Sequence, residues 1–120
     1  MYVILLKEHE GITNIEKVKV DEEILTLQTI RDLVECDWLE TLTVKDDVLL
    51  VFDEEYLLTH ENPVVNYLPS CLVGRPLCGN VLICRLVESE MVSVSEGNAD
   101  AMVEQLEALQ QKMLDKGVAI

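Results

Sequence analysis

A chain of 120 residues with 49% hydrophobic content has the size of one domain and ample apolar material for a core. Its 23 acids against 9 bases give a formal charge of −14, which repels phosphate backbones and argues against direct binding of DNA or RNA. At 4% aromatic content it also lacks the rings on which single-stranded bases stack.

The first run, Tyr2 to Leu6, is continuous, apolar and partly β-branched. It has no basic stretch before it and no small-residue cleavage site after it, so it reads as a first strand and not as a signal peptide. After the polar turn KEHEGITN, Ile15, Val18 and Val20 alternate with charged neighbours and complete a hairpin. Thr26 then precedes LQTIRDLVE, in which Leu27, Ile30, Leu33 and Val34 share a helical face, and its hydroxyl can accept from the unpaired amides of the first turn. From Trp38 to Phe52 the period changes: WLETLTV alternates, Lys45-Asp46-Asp47 turns the chain, and VLLVF is a buried second strand. Pro63 biases the residue before it away from helix, and a helical turn or two follows between Val64 and Leu72.

Gly74, Pro76 and Gly79 punctuate the approach to a fifth strand, Asn80 to Val87. Ser93 to Asn98 reads as a polar break. Beyond it, Met102, Leu106, Leu109 and Met113 make the apolar stripe of a terminal helix, with Lys112 and Lys116 at its C-terminal end and Gly117 as its cap. The expected architecture is α+β: a single domain over residues 1–120, with about five mostly antiparallel strands and a short and a C-terminal helix packed on one face of the sheet. No run approaches the ~18 apolar residues of a membrane span. Four cysteines without an export signal point to reduced thiols in the cytoplasm.

Chemistry-bearing patterns are few. Cys71, Cys78 and Cys84 are too widely spaced for the tight pairs of a structural zinc site, so buried thiols are expected. Arg75-Pro76 between Gly74 and Gly79 lacks the Lys-Ser/Thr pair of a phosphate loop and reads as a tight connection. His9 and His60 lie in polar, loop-like surroundings, and neither belongs to an HExxH helix. Asp46-Asp47 and Asp53-Glu54-Glu55 lack the alternation of a calcium loop. No catalytic residue, metal or cofactor is assigned. The charge is uneven: residues 21–61 hold thirteen acids against Arg31 and Lys45, whereas residues 62–87 hold no acid and carry Arg75 and Arg85.

The order TLQTIRDLV, WLETLTV, DDVLLVFDEEYLL, ENPVVN and GRPLCGNVLIC resembles the small bacterial and phage family known as domain of unknown function 3846, from the first strand to about Leu106. The resemblance rests on the acidic turn Asp53, Glu54 and Glu55, on the segment with Asn62, Pro63 and Asn66, and on Gly74 and Gly79 leading into Val81 to Cys84. Glu35-Cys36 and Tyr56 stand where the family often has glycine. The resemblance implies a gene of phages, plasmids or conjugative elements with no established activity, and it carries over no catalytic residue.

Three readings follow. The first is a non-enzymatic interaction protein of a mobile element. It would meet an unidentified protein partner through Asn62, Pro63, Asn66 and Arg75, with Asp53, Glu54 and Glu55 beside them, and would exist as a monomer or homodimer. The second is an acidic decoy whose carboxylates imitate duplex phosphates and inhibit a host restriction or CRISPR enzyme. The third is a small enzyme or metal protein around His60, Glu61 and the cysteines.

Overall fold

In the computed structural model, which describes residues 1–10, 12–56 and 63–116, the opening apolar run is a strand, β1 (Tyr2–His9), and its hairpin partner is β2 (Ile12–Lys19). Their pairing runs in unbroken register from Tyr2 opposite Lys19 to His9 opposite Ile12, so both strands reach further into the turn than periodicity indicates. His9 is therefore the last paired residue of a strand and not a loop residue.

The chain continues through helix α1 (Leu27–Val34), strands β3 (Leu39–Lys45) and β4 (Val48–Asp53), helix α2 (Tyr67–Val73), strands β5 (Val81–Val87) and β6 (Glu90–Val92), and helix α3 (Glu96–Asp115). The strands form one sheet in the order β2-β1-β5-β4-β3, with β6 paired to β5 off that path, and every pairing is antiparallel. The sixth strand escapes sequence reading because its turn, Glu88-Ser89, lacks the usual Asn-Gly. Both residues nonetheless adopt the left-handed angles of a tight hairpin, with φ of 50° and 68°.

The expected placement of the helices on one face is corrected. Successive side chains of a strand point to opposite faces, and in β1, β4 and β5 both sets are buried. Val3, Leu5, Leu49, Val51, Leu82 and Cys84 pack with Ile30 and Val34 of α1. Ile4, Leu6, Leu50, Phe52, Val81 and Ile83 pack on the other face with Leu68 of α2 and with Ala99, Leu106 and Met113 of α3. The continuous apolar runs of β1, β4 and β5 are the sequence signature of strands covered on both sides.

Register aligns these residues into rows. Ile4, Ile83, Leu50 and Leu42 lie side by side on the α2/α3 face, and Leu5, Leu82, Val51 and Thr41 on the α1 face. The second row ends in an exposed threonine, because the cover that α1 provides stops short of β3.

Helix starts follow capping chemistry. Thr26 accepts from the Thr29 amide at 3.2 Å, and the Glu22 carboxylate accepts from the Thr26 amide at 2.7 Å and from the Thr29 hydroxyl. These donors hold the Glu22 carboxyl below the usual carboxylate range. Ser95 caps α3 through the Asn98 amide at 3.3 Å, so Glu96 to Asn98 belong to the first helical turn and not to a break. At the other end of α3 the cap is Lys116, and Gly117 lies outside the described residues. Glu35 closes α1 in the left-handed conformation, φ 63° and ψ 47°, the geometry glycine adopts most readily.

Candidate functional site

The loops that carry the sequence candidates meet where β4 runs out and β5 begins. Val51 pairs with Leu82, so the acidic turn after Asp53 lies beside Gly79 and Asn80 at the start of β5. The turn is held locally: the Glu55 amide donates to Asp53 Oδ1 at 2.9 Å, and the Glu54 amide donates to the Trp38 carbonyl at 3.0 Å.

Beneath this end of the sheet sits Asn66, with no exposed surface. Its Nδ2 donates to the Leu6 carbonyl at 3.0 Å and to the Gly79 carbonyl at 2.9 Å, while its Oδ1 accepts from the Thr13 hydroxyl. The Thr13 oxygen in turn accepts from the Leu68 amide at 3.2 Å, at the start of α2. One amide side chain thus joins β1, β2, α2 and the loop before β5. Sequence reading groups Asn66 with surface contacts; its burial makes it the internal support of that surface, because a partner cannot reach it.

The loop from Gly74 to Gly79 is tied to the same point. The Asn66 amide donates to the Leu77 carbonyl at 2.7 Å, Ser70 Oγ donates to the Asn66 carbonyl at 2.7 Å, and the Leu77 amide donates to Ser70 Oγ at 2.8 Å. Gly79 adopts a φ of +77°, and a Cβ there would lie 2.6 Å from the Tyr56 ring, so the ring packs on bare backbone. Arg75 is exposed, pairs with Glu40 of β3 at 3.2 Å and stacks its guanidinium 5.3 Å from the centre of the Phe52 ring.

The result is a depression of about 370 Å³ whose lining includes Phe52, Asp53, Glu54, Tyr56, Arg75 and Cys78. On the other side of Tyr56 a hollow of about 190 Å³ adds Lys7, Glu8, Glu35 and Asn80. Asn80 bridges there, donating to Glu35 at 2.8 Å and accepting from the Glu8 amide at 3.3 Å. Burial first, and then the charges of Glu8, Cys78 and Asp53, raise the Tyr56 phenol above its ordinary value, so it stays neutral across the physiological range.

The structure brings Asp53, Glu54 and Arg75 together, with Glu55 half-buried in the same turn and Pro63 exposed. Asn62, His60 and Glu61 lie outside the described residues. Sequence reading missed Tyr56 and Glu40, whose roles arise from contact with residues distant in the chain; the scarcity of aromatic residues was the one available hint for Tyr56. Asp47 sits at the opposite end of β4, where Arg85 Nε donates to it at 2.6 Å and holds its carboxyl below the usual range.

The cysteines do not converge. Cys84 is buried against α1, Cys78 is buried at the depression, Cys36 is half-buried and Cys71 is exposed on α2, all as free thiols. Among the described residues no group of three His, Cys, Asp or Glu side chains could hold a metal ion. Burial pushes the Cys84 thiol up to about 12, and burial followed by Asp53 and Asp37 pushes Cys36 up to about 11. A thiol reagent at neutral pH is therefore expected to label Cys71 first and Cys84 only on unfolding.

The same shift sets a pH dependence. From the ordinary thiol value of 9.0 up to about 12, unfolding frees the Cys84 proton while folding retains it. Stability fully present below pH 9.0 thus declines as pH rises towards 12. Thermal melts across that range should show Cys84→Ala declining less steeply than the parent; an equal slope in the variant would refute the assignment.

With this geometry in place, comparison with known proteins gives one match. The family described as domain of unknown function 3846 matches residues 1–107. The chain belongs to that family. No curated protein and no solved structure matches it. The matched span of domain of unknown function 3846 ends inside α3, so the Asn66 network and both hollows fall within it. Among the described residues no helix is long and apolar enough to cross a membrane.

Proposed function

We propose that this member of domain of unknown function 3846 is a non-enzymatic interaction protein of a phage, plasmid or conjugative element, and that it meets a protein partner through the depression at the end of β4. The observation that carries this reading is convergence. Two loops far apart in sequence open onto one hollow with Phe52 inside and Glu54 and Arg75 as charged members: Gly74 to Gly79 is tied to the buried Asn66, and Asp53 to Glu55 is held by its own turn and by the Trp38 carbonyl. Loops held on a rigid sheet are where recognition usually resides. A pocket with an aromatic floor and charged walls fits an anchoring apolar side chain with a basic neighbour that Glu54 can meet.

The arrangement of acids favours this reading over an acidic decoy. Asp46 and Asp47 lie at one end of β4 and Asp53 to Glu55 at the other, roughly 17 Å of strand apart. Glu40, Asp47 and Glu22 are engaged by Arg75, Arg85 and the α1 cap respectively. Imitation of a duplex needs free carboxylates along one continuous face.

The test is affinity capture with the parent chain and with Glu54→Arg and Arg75→Glu, both exposed positions that leave the core intact. A partner held by the parent should bind each variant at least about tenfold more weakly, as loss of a 1.4 kcal/mol contact requires. Capture indifferent to both changes would remove the depression as the contact surface.

A further inference from the structure

We infer that β3 is a self-association edge, and that two copies of this chain join through antiparallel β3–β3 pairing about a twofold axis at Leu42. This goes beyond the partner surface proposed above, which lies at the end of β4.

The two edges of the sheet are protected differently. β2 carries Glu16, Lys17 and Lys19 along its length, and Lys17 is clamped to α3 by Asp100 at 2.7 Å and Glu96 at 3.6 Å. Charges and covering elements of this kind block strand addition. β3 ends the sheet path on the other side, and among the described residues no segment pairs with its outer edge. Its register irregularity, between Thr43 and Lys45, and the charge of Lys45 lie at its last residues, and its one other charge, Glu40 near its start, is paired with Arg75. The middle of the strand is the uncharged run Thr41-Leu42-Thr43.

That run reads the same in both directions from Leu42. Antiparallel pairing centred there sets Leu42 against Leu42 of the second copy, each Thr41 against a Thr43, each Glu40 against a Val44 and each Leu39 against a Lys45. No like charges oppose one another, and paired threonines and paired apolar residues are favourable cross-strand neighbours. The contact is self-complementary, as a twofold dimer requires. The axis stands normal to the sheet, so the α2/α3 face of one copy continues into the same face of the other.

Two exposed features fall at this junction. Trp38, immediately before β3, is 64% exposed and would come next to the second copy's strand end. An apolar groove of about 290 Å³ beside β3 is lined by Val44, Val48, Leu50, Leu72, Met102 and Leu109. Lys45 also lines it and no carboxylate does, in a chain of net charge −14, so a second copy approaches here without meeting acid at the groove.

Each copy carries the full −14, so screening by salt should strengthen the association. Sedimentation equilibrium of the full chain at moderate salt should give twice the 13.6 kDa chain mass, with the dimer weakening as salt is lowered. The double variants Thr41→Lys/Thr43→Lys and Thr41→Glu/Thr43→Glu place like charges opposite each other at exposed positions. Each should raise the dimer dissociation constant at least tenfold with unchanged circular dichroism, and an equimolar mixture of the two should recover the doubled mass. Emission of Trp38, the single tryptophan, should shift to the blue with protein concentration in the parent and not in either double variant. A single-chain mass for the parent at every concentration would overturn the proposal. So would a doubled mass that survives in both double variants, since the contact would then lie elsewhere.

Discussion

Replacing Asn66 with leucine is expected to cost on the order of 5 kcal/mol, a large share of the 5–15 kcal/mol that stabilises a typical domain. Leucine shares the branching of asparagine at Cγ, is bulkier and has none of its hydrogen bonding. The Leu6 and Gly79 carbonyls would lose their Nδ2 donor and the Thr13 hydroxyl its acceptor, all in a site closed to water. Each such buried orphan costs about 1–3 kcal/mol. Asn66→Asp keeps an acceptor for Thr13 but sets a carboxylate against two carbonyl oxygens, so it should be no milder. Urea unfolding of both variants measures the loss, and a change below about 1 kcal/mol would show that the network is dispensable. In any Asn66 variant that still folds, the loop that carries Arg75 should lose its fixed place beside the acidic turn. Partner binding would then fall even though Asn66 touches no partner.

The second large effect is a contrast between neighbours in β5. Leu82 lies at the centre of the α1 face between Leu5 and Val51, and Leu82→Ala should cost about 4 kcal/mol, towards the upper end for buried aliphatic truncation. Ile83 points to the opposite face, where it borders the apolar groove of about 290 Å³. A site next to open space can relax, so Ile83→Ala should cost about 2–3 kcal/mol. Chemical denaturation of the two variants orders them directly. If Ile83→Ala proves the more costly, the groove side is packed as tightly as the α1 side.

Much of this protein is written in short windows of its chain. The apolar runs at Val3 to Leu6, Leu49 to Phe52 and Val81 to Cys84 mark three strands, and all three prove to be central to the sheet. Thr26 before an amphipathic octet marks α1, and the stripe from Met102 to Met113 marks α3. Family membership follows from the order of these same segments. Such features are legible because periodicity, capping and burial on both faces depend on residues a few positions apart.

Other features have no local signature. β6 depends on two non-glycine residues adopting left-handed angles, which only its pairing with β5 enforces. The faces on which α1, α2 and α3 settle follow from strand order, and β5 becomes central by contacting β4 and β1, partners some 30 and 80 residues back along the chain respectively. Asn66 shows the difference most sharply. As a sequence position it is a polar residue after a proline, indistinguishable from a surface contact. Folding brings a threonine, two carbonyls and a helix start around it, and burial then turns a candidate contact into the brace for the loop that carries Arg75. Composition could set the amounts of charge and apolar surface, but only long-range pairing could decide which of them face one another.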